Sequence, residues 1–163
     1  MTKRRIFGII FGILTVVCLA VIWGNSMTTG TESGQMSGSV TEWVNNVLQK
    51  IFPTVEISHM FVRKAAHFTE FAILGILAFA NMLIWLPQKR RAFLLLSIPC
   101  CFLVALADEF IQGFIAGRVS SFADVLIDTL GATVAVLIFF GAVTLRDSLK
   151  NRSKSELREK VNT

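Results

Sequence analysis

The chain has 163 residues, 53% of them hydrophobic and only 17% charged, with a mean hydropathy of +0.63 and a formal net charge of +5. Soluble domains carry roughly 25% charged residues, so this composition leans away from water. The apolar content excludes a disordered chain, and three cysteines in this length exclude a disulfide scaffold. The length suits about one domain, and the apolar residues are clumped into long runs, so an all-α integral membrane protein is expected.

Four runs carry that expectation. Ile6 to Trp23 holds 18 residues without a charge. It exceeds the usual ~7–15 residues of a signal-peptide core and lacks an Ala-x-Ala site after Trp23, so an uncleaved anchor is expected despite the basic Lys3-Arg4-Arg5 in front of it. Phe71 to Leu86 and Ala92 to Ala107 hold 16 residues each, and Val125 to Leu145 holds 21, broken by Asp128. A helix needs about 20 residues at 1.5 Å each to cross a ~30 Å hydrocarbon layer. The two shorter runs reach that length only by continuing through Ala65–Glu70 and Asp108–Gln112, which gives spans at about 6–23, 65–86, 92–112 and 122–145. A four-helix membrane bundle follows, with a basic tail over 146–163.

Between the first two spans, Asn25 to Ser39 is rich in Ser, Thr and Gly and is expected to be an irregular loop. After it, Val40, Trp43, Val44, Val47, Leu48 and Ile51 recur at helical spacing, with Thr41, Glu42, Asn45, Asn46 and Gln49 opposite. Ser39 and Glu42 have the spacing of a capping box and Pro53 marks a stop, so an extra amphipathic helix is expected over about 40–52. Two placements fit: in the membrane interface with Trp43 at headgroup depth, or packed across the mouth of the bundle.

The basic residues divide unevenly. Lys3, Arg4, Arg5, Lys89, Arg90, Arg91, Arg146, Lys150, Arg152, Lys154, Arg158 and Lys160 make 12 of the 16, all on one side of a four-span topology. Lys50, Arg63, Lys64 and Arg118 lie on the other. Both termini are therefore expected in the cytoplasm of a multi-pass cell-membrane protein. The positive charge reads as topology and affinity for membrane lipids, and no aromatic-interleaved groove accompanies it, so nucleic acid is not an expected partner. Cys18, Cys100 and Cys101 fall within spans and read as packing residues. His59 reads as a loop or cap residue, and Asn81 as an interhelical hydrogen-bonder.

Five of the eleven acidic residues, Glu70, Asp108, Glu109, Asp124 and Asp128, sit within or at the edge of spans. Each costs roughly 2.5–3.5 kcal/mol there even on the mild insertion scale. The topology brings them to one level of the membrane, at the outer ends of three helices. Arg63, His67 and Glu70 share a stripe at i, i+4, i+7; Asp108 and Gln112 are i, i+4; so are Asp124 and Asp128, with Gly131 and Ala135 continuing that face as a small-xxx-small surface. Arg118 follows Gly117 in the return loop. A convergent set of one His, five carboxylates and two Arg is a candidate functional site. His67, Glu109, Asp108 and Asp124 are the candidate catalytic residues; Arg63, Glu70, Gln112, Arg118 and Asp128 are candidates for binding substrate. Any one of these could simply brace the bundle, but five acids exceed what Arg63, Arg118 and Lys64 can neutralise. A metal held by His67 and carboxylates is a variant of the catalytic reading, although no HExxH-type spacing occurs; no metal site is assigned, and no cofactor can be named.

The stretches Arg63-Lys-Ala-Ala-His67-Phe-Thr-Glu70-Phe-Ala-Ile-Leu-Gly75 and Asp108-Glu109-Phe-Ile-Gln112-Gly-Phe-Ile-Ala-Gly117-Arg118-Val-Ser-Ser-Phe-Ala-Asp124-Val-Leu-Ile-Asp128-Thr-Leu-Gly131 resemble the signature of VanZ-like membrane proteins in order, spacing and membrane placement. The resemblance covers about residues 6 to 145; its pattern often has Asn where this chain has Asp128. The founding member is associated with teicoplanin resistance in Gram-positive bacteria. The resemblance thus implies an envelope role, with a lipid-linked cell-wall precursor or a glycopeptide as the implied partner, and offers no reaction. Three classes stand beside one another: a protein that binds or modifies an envelope molecule; an enzyme using His67 as base beside Glu109 or Asp108, with Arg63 and Arg118 on a substrate phosphate; and a small transporter, disfavoured by the apolar cytoplasmic half.

Overall fold

The computed structural model describes residues 2–161, with side chains to residue 156; the side chains of Arg158 and Lys160, part of the basic count above, lie outside the described residues. The helices are α1 (Lys3–Ser26), α2 (Gly30–Leu48), α3 (His59–Trp85), α4 (Arg90–Gln112) and α5 (Phe122–Val161), with a 3-10 turn at Pro87–Lys89 before α4. Among the described residues, α1, α3, α4 and α5 are the helices long and apolar enough to cross a membrane. The protein is an all-α membrane bundle, and its outward-facing Ile, Leu, Val and Phe side chains are the lipid-facing surface such a bundle requires.

α3 is the central helix, with its most extensive contact on α5. Small residues allow the approach: a Cβ on Gly131 would lie 2.3 Å from the Phe68 carbonyl oxygen, and one on Gly75 would lie 3.0 Å from that of Ala132. Without a hydrophobic drive between helices in lipid, this close backbone packing is what holds such pairs together. One buried cluster, around Ile22, Phe71, Leu74, Cys101, Ala105, Val125 and Ala132, lies beneath the polar residues of the candidate site. A second, around Phe79, Phe93 and Val136, packs near the opposite end, where Phe79 meets Phe139 and Phe140 edge-on with centroids 6.1 and 6.2 Å apart.

Basic side chains pin that opposite end. Arg4 donates to the Ile84 and Trp85 carbonyls at the C-terminus of α3, where the helix dipole favours a cation, and Arg90 pairs with Asp147, tying the start of α4 to α5. The N-terminus, the 87–91 turn and the segment after 145 therefore share one end of the molecule. Asn81 accepts from Trp85 Nε1 at 3.0 Å, one turn along its own helix, so its bond is intrahelical where an interhelical one was expected.

α2 starts ten residues before the expected boundary and ends at Leu48. The expected loop through Ser39 is helical because the working capping box is Thr29 with Glu32: the Thr29 hydroxyl accepts from the Glu32 N–H, and the Glu32 carboxylate accepts from the Thr29 N–H at 3.0 Å. The Thr29 hydroxyl also donates to the Glu32 carboxylate at 2.8 Å, and this bond first, with that from the Thr29 N–H second, holds the Glu32 carboxyl below the usual carboxylate range. Ser37, Ser39 and Thr41 turn their hydroxyls back onto carbonyls one turn earlier, so polar residues that usually compete with a helix are satisfied inside it. Gly30 anchors the start, donating to the Ala116 carbonyl at 3.0 Å. A Cβ on Gly30 would fall 2.0 Å from the Gly117 oxygen, and Gly117 itself turns at φ +75°, so two glycines meet where no side chain fits. At the other end, the Asn45 amide clamps the Ile57 backbone in both directions. α2 thus packs across the ends of α3 and the return loop, while Trp43, 68% exposed, points away.

Candidate functional site

α1 contributes to the site unexpectedly. It runs past Trp23 to Ser26, carrying Asn25 and a fully buried Ser26 to the level of the carboxylates. Ser26 Oγ donates to Asp108 Oδ1 at 2.6 Å, and Gln112 Nε2 donates to Asp108 Oδ2 at 2.8 Å and to Ser26 Oγ at 3.2 Å. Asp108, itself fully buried, is therefore oriented from two helices.

Arg118 closes this network from above, though with other partners than its sequence neighbourhood suggests. Nε donates to the Thr28 carbonyl, Nη2 to the Asn25 carbonyl and the Thr28 hydroxyl, and Nη1 to Gln112 Oε1, at 2.6–3.2 Å. Four of its five N–H groups are committed, three of them to Asn25 and Thr28 at and just beyond the C-terminus of α1. Burial lowers its pKa, and the nearby Arg63 adds to this. Arg118 forms no ion pair with a carboxylate among the described residues; it braces α1 against the return loop.

The remaining acids separate. Glu70 accepts from Asn25 Nδ2 at 2.7 Å, tying α3 to α1. Glu109, 3% exposed, accepts from the Ser121 backbone N–H at 2.7 Å and so holds the residue before α5; it lines neither cavity described below. Asp124, in the first turn of α5, pairs with Lys64 at 2.8 Å. Asp128 differs from all of these. It is 0% exposed, and neither carboxylate oxygen has a hydrogen-bond partner among the described residues. His67 Nδ1 is likewise buried without a partner. His67, Asp108 and Asp128 each present one donor atom, and these atoms lie within 4.8 Å of one another.

Two cavities flank His67. One of about 170 Å³ runs between α1, α2 and α3, lined among others by Asn25, Met36, Val40 and Glu70. The other, of about 320 Å³, lies between α3, the return loop and α5, lined among others by Lys64, Ser121, Asp124 and Asp128. Arg63, His67 and Arg118 border both. Arg63 is half-buried and, among the described residues, has neither a hydrogen bond nor an ion pair. Of the residues singled out in the sequence, His67, Asp108 and Asp128 come together, Gln112 and Arg118 support them, and Arg63 is the free cation beside them. Glu70, Glu109 and Asp124 are engaged elsewhere.

These residues fall inside the stretch that a family model, VanZ/LLP1, matches over residues 11–145. The chain belongs to the VanZ/LLP1 family. No curated protein and no solved structure matches it. The VanZ/LLP1 region takes in most of α1, all of α2, the polar network and most of α5, and leaves out the basic segment after 145. Two elements of the network escaped the sequence reading. Asn25, Ser26 and Thr28 look like the start of a loop, although Asn-Ser directly after an apolar run is also how a span ends in hydrogen bonds. Lys64 was legible as a neutralising charge, and only the fold selects Asp124 as its partner.

Proposed function

We propose that this VanZ-family protein binds the anionic headgroup of a lipid-linked cell-envelope molecule in the cavities beside His67, on the extracytoplasmic side of the membrane. Arg63 carries this reading. It is a cation bordering both cavities with its donors unspent, and guanidinium is the side chain best matched to phosphate and carboxylate oxygens. The excess of basic residues at the other end supports the outward orientation. The association of the family's founding member with teicoplanin supports an effect on glycopeptide susceptibility.

The test uses full-length protein in nanodiscs of neutral lipid, titrated with farnesyl phosphate and, in parallel, farnesol. Saturable binding of the phosphate alone is expected. Losing one hydrogen-bonded charge costs about 1.5–3 kcal/mol, so Arg63→Ala should weaken it roughly 10- to 150-fold. Equal binding of phosphate and alcohol, or wild-type affinity in Arg63→Ala, would refute the reading.

A further inference from the structure

We propose that His67, Asp108 and Asp128 form a binding site for a divalent first-row transition cation, with zinc as the first probe. One imidazole nitrogen and two carboxylate oxygens are the donor types such ions take, and hard magnesium or calcium has no preference for the imidazole. Donor atoms at ~2.1 Å from an ion in tetrahedral geometry sit about 3.4 Å apart. The three here lie within 4.8 Å of one another, so no pair has to close by more than about 1.4 Å to reach that spacing.

Burial supplies the independent observation. Asp128 is 0% exposed with both oxygens unpartnered, and His67 Nδ1 is buried and unpartnered beside it. Two buried carboxylates on neighbouring helices with no cation paired to either are costly, and a divalent ion meets both charges at once. The surroundings match those of a ligating carboxylate as well. Ser26 and Gln112 fix Asp108 with one donor on each oxygen, and Arg118 fixes Gln112, so an outer shell orients one ligand while spare lone pairs face the other two. Three protein ligands leave a fourth position, and the 320 Å³ cavity bordered by His67 and Asp128 gives water or a ligand oxygen access to it.

This site stands without the headgroup reading, because it is tested with the metal alone. Full-length protein in nanodiscs, stripped with chelator and dialysed against zinc, should retain one equivalent per chain by elemental analysis. Cobalt in its place should give the visible bands of a low-symmetry site. Asp128→Asn, an isostere that removes the unpaired charge and leaves the fold standing, should weaken zinc binding at least about 100-fold. Zinc should raise the thermal unfolding midpoint of the wild type and leave that of Asp128→Asn unmoved. Asp124→Asn, which removes an acid paired with Lys64, should keep the full equivalent. Less than stoichiometric zinc, or binding that survives Asp128→Asn, overturns the proposal. Loss of phosphate binding with zinc binding intact would sink only the headgroup reading.

Discussion

Gly131→Ala is the most direct test of how α3 and α5 hold the site. The added methyl would lie 2.3 Å from the Phe68 carbonyl oxygen, with the Phe68 carbonyl carbon at 3.1 Å and its Cα at 3.2 Å. Close C–H···O contacts sit at about 3.3–3.6 Å, so the two backbones must part by roughly 1 Å. A gap of that size forfeits about a quarter to a half of the dispersion well along the contact, and overpacking of this kind costs about 1–3 kcal/mol. Backbone, unlike a flexible side chain, cannot swing aside. Gly141→Ala is the control within the same helix, because nothing lies within 4 Å of its added methyl and only the better helix propensity of Ala, up to ~1 kcal/mol, applies. Unfolding in mixed micelles with rising dodecyl sulfate should therefore place Gly131→Ala about 1–3 kcal/mol below Gly141→Ala, a roughly 5- to 150-fold difference in equilibrium constant. Phe68 adjoins His67, and Gly131 lies about one turn from Asp128, so zinc affinity should fall in the first variant and hold in the second. Equal stability of the two variants would refute the close-packing account.

Arg118→Lys keeps the charge and loses the fork that reaches Asn25, Thr28 and Gln112 together. It should lower stability by about 2–4 kcal/mol, with any loss of phosphate binding in proportion to the loss of folded protein in membranes; full folding with abolished binding would instead make Arg118 a ligand residue. For orientation, Cys placed at Val119, which is 84% exposed, should react with an impermeant maleimide in intact cells, and Cys at Gln88 should not, in a background without the native cysteines; the opposite pattern reverses the topology.

The polar level of the bundle was legible because lipid makes every ionisable residue expensive, so His67, Asp108 and Asp128 stand out against apolar runs and their i, i+4 spacing assigns them to facing stripes. The close face at Gly131 was legible for a related reason: small residues at helical spacing have few uses in a span except approach. The start of α2 was not. Gly, Ser and Thr over residues 30–39 weigh against a helix, and what overrules them is tertiary: the Gly30 contact with the return loop and hydroxyls folded back on their own helix. The partners of Arg118 were hidden too. Chain neighbourhood offers it carboxylates, whereas the end of α1, some 90 residues earlier, offers carbonyls and a hydroxyl in a geometry that only the packed bundle creates.

Charge at the site gives the two proposals a common root. Glu70, Asp108, Glu109, Asp124 and Asp128 bring five formal negative charges, and Arg63, Lys64 and Arg118 bring three positive ones. Neutral donors hold Glu70 and Glu109, neutral acceptors hold Arg118, and Lys64 is matched by Asp124, so the imbalance concentrates on Asp108 and Asp128 opposite Arg63. An anionic headgroup beside Asp108 and Asp128, neither of them paired with a cation, binds Arg63 against their repulsion in a medium where charges act strongly. A divalent ion on His67, Asp108 and Asp128 brings the formal total to zero and leaves Arg63 facing the cavity as a cation without a rival anion. The carboxylates that oppose an anionic ligand are then what recruits the charge that strengthens its binding.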